Sequence, residues 1–282
     1  MAMGLCNGVA TFQRLMEYIL AGLNWQTCLI YIDDIIVFSD TFESHLSRLS
    51  VVLERICTHG LKVSPKKCDL FQKQVSFLGH IVSNEGIATD AGKIESVKTW
   101  PSPRNITEIR SFLGTCSYYR RFIKDFAAIA RPMHKLTEKN CPFNWTQECE
   151  DAFQKLKTAL VTAPILAFPD MSKHFILDTD ASGFGIGAVL SQMHDNKEVV
   201  IAYFSKALSR PQRQYCVTRR ELLAVILGIK HFHHYLYGTR FIVRTDHGAL
   251  TWLLRFKNPE GQMARWLETL NTYNFEVYHR PG

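Results

Sequence analysis

Two adjacent aspartates, Asp33 and Asp34, stand between Cys28-Leu29-Ile30-Tyr31-Ile32 and Ile35-Ile36-Val37-Phe38, two short runs rich in β-branched and aromatic residues. Such runs read as strands, so the segment predicts a buried β-hairpin with both carboxylates at its tip. Asp favours tight bends, and an ordinary turn is one reading of the pair. A turn that only reverses the chain usually carries Gly or Asn, whereas two adjacent negative charges against apolar walls require a cation. Hard divalent ions such as Mg²⁺ take carboxylate oxygens, and two of them can activate an attacking hydroxyl and neutralise a leaving phosphate. Further acids fall at the ends of other elements: Asp178 and Asp180 in the apolar run from Phe175, Glu221 after Thr218-Arg219-Arg220, and Asp246 after Arg244-Thr245. Strand ends and a helix start from distant parts of a chain can meet on one edge of a sheet. Three acids meeting there need metal.

The elements that would position these acids can be read from periodicity. Gly4 opens a loop that passes into an amphipathic helix around Thr11 to Met16. Leu46, Leu49, Val52, Leu53 and Ile56 recur at helical spacing, with Gly60 placed to end a helix lying beneath the hairpin. Leu61-Lys62-Val63, Lys66 to Phe71, Val75 to Val82 and Gly86-Ile87 carry strand-turn-strand signals, and Gly79 within them marks close approach of another backbone. Asn105 after Pro101 and Pro103, with Glu108 three residues on, predicts a capping box. The helix it starts carries Phe112, Cys116, Tyr119, Ile123 and Phe126 on one side and Arg110, Ser117, Arg121 and Lys124 on the other. That second face is either simply solvated or laid along a phosphate backbone. Prolines punctuate residues 132 to 172 around one helix from Glu148 to Leu160. Three strands follow, Phe175 to Asp180, Gly185 to Leu190 and Val199 to Ser205, then a helix and another strand.

Composition bounds the rest. With 282 residues and 46% hydrophobic content the chain can bury one large core or two or three smaller ones. No apolar run of about 18 residues spans a bilayer and the first residues lack a secretory pattern, so an intracellular protein, in a cytoplasmic particle or the nucleus, is expected. The eight cysteines show no Cys-x-x-Cys spacing and predict reduced thiols. His231, His233 and His234 do not set two imidazoles at i and i+4, which argues against a metal pair. Net charge is +7, and residues 93 to 140 concentrate it, with ten Lys or Arg against four acids. A localised grip on a polyanion is expected.

Tyr31-Ile32-Asp33-Asp34 resembles the Tyr-x-Asp-Asp box of reverse transcriptases, and nearly the whole chain resembles the Pol polyprotein of gypsy-type long-terminal-repeat retrotransposons. Gly4-Leu5 resembles the end of a Pro-Phe-Gly-Leu stretch, with Ala2 and Met3 where the family has Pro and Phe and Gly8-Val9 in place of Ala-Pro. Lys67-Cys68 to Phe71 and Val75 to His80 resemble the primer grip, Phe112-Leu113-Gly114 and Tyr118 to Ile123 the thumb, and Phe143 to Thr146 with Ala163 to Leu166 the bridge between polymerase and nuclease. The resemblance implies a mixed α+β and α/β multidomain chain: a partial palm with primer grip (1–90), a thumb (91–131), a connector (132–172) and a ribonuclease H-like mixed sheet with helices (173–282). It implies polymerase metals at Asp33 and Asp34, template and nucleotide contacts at Gly4 and Tyr31, and a primer grip at Phe77, Leu78, Gly79 and His80. Nucleic acid would lie along Arg110, Ser117, Arg121 and Lys124.

Asp180, Glu221 and Asp246 would hold the nuclease metals. From spacing alone Asp178 competes with Asp180 on one strand face, Glu221 could cap its helix with Thr218, and Asp246 could cap a helix near Gly248. Implied cofactors are two Mg²⁺ or Mn²⁺ ions per site; implied partners are template-primer, RNA–DNA hybrid and deoxynucleoside triphosphates, with no membrane. The family's further polymerase aspartate precedes the Gly4 region, and its fourth nuclease carboxylate follows the segment that His279-Arg280-Pro281-Gly282 resembles, so these 282 residues alone are expected to be inactive or nearly so. A non-catalytic nucleic-acid-binding relic or host-adopted fragment is the second reading.

Overall fold

Helical spacing of apolar residues gives two amphipathic helices, α1 (Gly8–Ile19) and α2 (Phe42–Thr58), and between them the expected hairpin of β1 (Cys28–Tyr31) and β2 (Asp34–Val37). These belong to the first of two units, up to Leu78, in a computed structural model that describes residues 4–248 and 261–280. The Thr41 hydroxyl caps α2 by accepting the Ser44 N–H at 3.2 Å, and Gly60 ends it with φ of +73°. In the hairpin register Cys28 pairs with Val37 and Ile30 with Ile35, so these four share the face that packs on Met16, Ile19, Leu20, Val52 and Ile56. Tyr31 pairs with Asp34, on the other face with Leu29 and Ile36. The hairpin is therefore half-buried rather than buried: α1 and α2 cover one face of a two-stranded sheet, and Cys28 is its one fully enclosed residue. The strand signals of residues 61–71 are not realised either. Pro65 opens a 3-10 turn (Pro65–Lys67), Phe71 takes a left-handed backbone while its ring packs on Phe42, and the next strand is β3 (Gln74–Phe77).

From Gly79 the second unit begins with an antiparallel pair, β4 (His80–Ser83) and β5 (Gly86–Thr89), and four helices, α3 (Ala91–Lys98), α4 (Ile106–Tyr118), α5 (Phe126–Leu136) and α6 (Gln147–Val161). Asn105 caps α4 by accepting the Glu108 N–H at 2.9 Å. The Glu108 carboxylate reaches back to the Arg104 N–H at 2.7 Å, one residue before the cap position that a capping box would satisfy. Phe112, Cys116, Tyr119, Phe122, Ile123 and Phe126 are all buried in one core with residues of α5 and α6. They do not lie on one helix: α4 stops at Tyr118, a 3-10 turn covers Arg120–Phe122, and Asp125 has φ of +56° before α5 starts.

The rest is a five-stranded sheet in the order β10-β9-β6-β7-β8. Strands β6 (Phe175–Ala181), β7 (Gly185–His194) and β8 (Lys197–Ala207) form an antiparallel meander longer than its apolar runs, because Asp195 and Asn196 both take positive φ and turn the chain within two residues. Helices α7 (Arg210–Arg213), α8 (Val217–His231) and α9 (His233–Leu236) follow, then β9 (Arg240–Thr245), α10 (Gly261–Asn271) and β10 (Asn274–His279). Strand β9 runs parallel to both β6 and β10. Helix α8 covers one face over Phe175, Leu177 and Ala188, and Gly228 permits that approach, since a Cβ there would sit 3.2 Å from the Ala188 Cβ. On the other face of β8 the Arg120 guanidinium donates to the Ser205 carbonyl at 2.6 Å and the Ala127 N–H to the Ser205 hydroxyl at 2.9 Å. Among the described residues no helix is long and apolar enough to cross a membrane.

Candidate functional site

Alternation along β6 turns Leu177 and Thr179 toward α8 and Asp178 and Asp180 to the opposite face. The two aspartates then part company. Asp178 pairs across the sheet with Arg244, whose Nε donates to Oδ1 at 2.7 Å; Arg244 Nη1 also reaches Glu198 at 3.0 Å, and the Ser191 hydroxyl donates to Glu198 at 2.7 Å. Those bonds hold Glu198 below the usual carboxylate range. Asp180 instead converges with Glu221 and Asp246, one oxygen from each lying within 4.8 Å of the others.

Glu221 is 4% exposed, and among the described residues its Oε2 has no hydrogen-bond partner. Burial first, then the charges of Asp246 and Asp180, push its carboxyl up to about 7 against the opposing pull of the Ala181 N–H and Arg220. It caps nothing: α8 starts at Val217 after Cys216, and the Thr218 hydroxyl lies 2.9 Å from His247 Nε2. The helix that Asp246 might cap near Gly248 lies outside the described residues. A buried carboxylate with an oxygen unused among the described residues, clustered with two more carboxylates, fits a hard divalent cation, which supplies the missing positive charge. His233, by contrast, lies 2.8 Å from the Tyr273 hydroxyl, and His231 stacks on Phe204.

At the first hairpin, Ile32 and Asp33 form the two-residue loop, and Ile32 has φ of +56°, a strained angle for a β-branched residue. Its N–H is held by the Gln13 side chain of α1. Sequence reasoning missed Gln13, whose partner is 19 residues away and which carries no motif signal. Asp33 and Asp34 are both exposed, and so is Tyr31. Gly4, in a turn at φ of +91°, is exposed as well.

Phe77 and Leu78 are half-buried. Gly79 is not inside a strand: with Leu78 it forms a turn in which both residues have positive φ, and what approaches it is side chain rather than backbone. The Tyr119 hydroxyl donates to the Gly79 carbonyl at 2.7 Å. The His80 ring stacks with Tyr118 and Phe122 at 5.3 and 5.6 Å, and burial followed by the Arg121 charge holds it below the usual imidazole range. Arg110 and Lys124 are exposed, Ser117 and Arg121 half-buried, with Arg121 lying over the Phe122 ring. One more acid reaches this neighbourhood. Loss of solvation raises the Asp125 carboxyl, Lys124 lowers it, and Asp180 is among the charges it feels.

Residues 1–82 match the family described as reverse transcriptase (RNA-dependent DNA polymerase), and residues 145–243 the RNase H-like domain found in reverse transcriptase. The chain is 39% identical over 284 residues to the retrovirus-related Pol polyprotein from transposon 297 of Drosophila melanogaster, covering 100% of this chain and 26% of that one. It is 36% identical to the Pol polyprotein from transposon gypsy of the same organism, covering 99% and 28%, and 35% identical to the transposon Tf2-3 polyprotein of Schizosaccharomyces pombe, covering 100% and 22%. It spans about a quarter of the length of these curated relatives. Its fold is similar to the foamy viral protease-reverse transcriptase dRH in complex with ds DNA, with TM-score 0.85 and 22% identity over 97% of this chain and 49% of that one. The same enzyme in complex with RNA/DNA hybrid gives 0.83 and 22% over 99% and 39%. The mixed fold with its ribonuclease H-like sheet, the two matched domains and these relatives agree: the chain carries reverse transcriptase and RNase H-like domains, and its relatives are Pol polyproteins of long-terminal-repeat retrotransposons, gypsy among them.

Proposed function

We propose that these residues form the catalytic hairpin of an RNA-directed DNA polymerase and the ribonuclease H that degrades the RNA strand of its product. In this reading residues 1–90 are palm, 91–131 thumb, 132–172 connector and 173–282 nuclease, with thumb and connector sharing the core of α3 to α6. The convergence of Asp180, Glu221 and Asp246 carries the proposal, because a buried Glu221 with an oxygen that no described residue satisfies, clustered with two more carboxylates, is costly unless a cation is part of the design. Mg²⁺ or Mn²⁺ bound there would activate water and offset charge on the scissile phosphate. The chain's own part is to fix three oxygens from two strand ends and a helix. At neutral pH without metal Glu221 can keep a proton that a cation displaces.

At the first hairpin Asp33 and Asp34 would hold the polymerase ions, Tyr31 and Gly4 would line the template and nucleotide side, and the Gln13 bond to Ile32 fixes the strained loop that presents Asp33. Phe77 to His80 would grip the primer end through the Gly79 turn that Tyr119 holds. Arg110, Ser117, Arg121 and Lys124 would follow the phosphates of template-primer or hybrid, with deoxynucleoside triphosphates as substrates. The retained carboxylates speak against a non-catalytic relic. In a protein containing these 282 residues, Asp180→Asn and Glu221→Gln should abolish Mg²⁺-dependent cleavage of a labelled RNA strand in hybrid while circular dichroism stays unchanged. Full cleavage by the Glu221→Gln protein would remove that residue from the site.

A further inference from the structure

Ser205 on β8, Gly187 on β7 and Asp180 on β6 are successive register partners, so they form one row across the sheet on the face opposite α8. The chain between the 3-10 turn and α5 lies along that row. Ser205 takes the Ala127 N–H on its hydroxyl and the Arg120 guanidinium on its carbonyl. Two residues before Ala127, the Asp125 carboxylate sits above Gly187: a Cβ at that glycine would lie 3.0 Å from Asp125 Oδ1. Asp125 thus fills the place that a side chain at position 187 would take, and the next place in the row is Asp180. An empty position at 187 and an acid delivered into it from outside the sheet are two halves of one arrangement.

We propose that Asp125 is an outer carboxylate of the nuclease metal site, holding metal-bound water beside Asp180, so that the segment leading into α5 completes a site otherwise built by the sheet and α8. The proposal rests on the metal reading of Asp180, Glu221 and Asp246, whose independent sign is the Oε2 of the almost fully buried Glu221, which has no partner among the described residues. Asp125 is not one of the three acids whose oxygens come within 4.8 Å of one another, which suits a contact through water rather than a direct bond. Mg²⁺ sheds water reluctantly and keeps several molecules when one or two carboxylates hold it, and those waters are donors that seek acceptors. Such outer partners typically change metal affinity 10- to 100-fold.

The competing explanation is conformational. Asp tolerates the left-handed backbone that position 125 adopts, and would be there for that alone. Asp125→Asn keeps that tolerance and the shape while removing the charge, and Asp125→Gly adopts the angle without a side chain. Mn²⁺ binding to the whole chain, followed by electron paramagnetic resonance, separates the two, with Asp180→Asn identifying the part of the signal that belongs to the nuclease cluster. We expect Asp125→Asn and Asp125→Gly each to weaken that part about tenfold, with the metal-free melting temperature of Asp125→Asn unchanged. Wild-type affinity in Asp125→Asn, with the Asp180→Asn loss intact, overturns the role of Asp125 alone. Absence of any difference between wild type and Asp180→Asn overturns the metal reading and this proposal together.

Discussion

Glu221 combines burial with two like charges, and its titration gives that combination a measurable sign. Its carboxyl is raised from 4.5 to about 7 in the folded chain, so between those values the folded protein holds a proton that the unfolded chain has released. The contribution to stability is therefore full below about pH 4.5 and is lost as pH rises through 7, a difference on the order of 3 kcal/mol. Glu221→Gln, which cannot ionise, should resist urea better than wild type at pH 8 in metal-free protein and match it near pH 4.5. Parallel pH profiles for the two proteins would show that the carboxyl is not raised. Little of this was legible in the sequence, where Glu221 stood at capping distance from Thr218 and Asp178 shared a strand face with Asp180. Both ambiguities turn on residues far along the chain: Arg244, 66 positions on, takes Asp178, and His247, 29 positions from Thr218, lies against its hydroxyl. Asp125 counted only as one of four acids in a basic stretch, because nothing local shows a carboxylate lying over a glycine in a strand 62 residues away.

Signals that act within one turn of the chain were legible, and those that depend on a distant partner were not. Asn105 and Gly60 cap or end their helices as their types and spacing predict. The end of α4 at Tyr118 carries no Pro or Gly; it is marked instead by the Tyr119 hydroxyl reaching the Gly79 carbonyl 40 residues earlier. Gly86 shows the same dependence on distant chain. Its φ is +136°, and a Cβ would lie 2.2 Å from the Leu166 carbonyl oxygen, beside reciprocal bonds between Ile87 and Leu166 at 2.8 and 2.9 Å. Relief would require backbone to move, so Gly86→Ala should cost about 2–4 kcal/mol through strain and lost bonds. Urea denaturation followed by tryptophan fluorescence would measure it. A change under about 0.5 kcal/mol would mean that the contact between β5 and the segment after α6 contributes little to the second unit.

For the chain as a whole, the order of elements predicted the mixed architecture, because strand-strand-strand-helix-strand is written in apolar runs that tertiary contacts lengthen but do not reorder. The charge distribution was equally plain, with a net +7 concentrated between residues 93 and 140. What changed is its geometry: the four proposed phosphate contacts come from α4, the 3-10 turn and the link to α5 rather than from one helix face. Arg121, half-buried against Phe122 with its Nε buried, has part of its guanidinium committed to the protein, whereas Arg110 and Lys124 are exposed. If the proposed nucleic-acid path is right, the two exposed residues carry the salt-dependent part of binding. Each phosphate neutralised releases condensed counterions, so the double variant Arg110→Ala, Lys124→Ala should lower the magnitude of the log-affinity against log-salt slope by up to about 2 on an RNA–DNA hybrid. Because neither side chain is buried, the melting temperature should hardly move, and weaker binding then reports lost charge rather than lost fold. A slope equal to that of wild type across a salt titration would take Arg110 and Lys124 off the path of the nucleic acid.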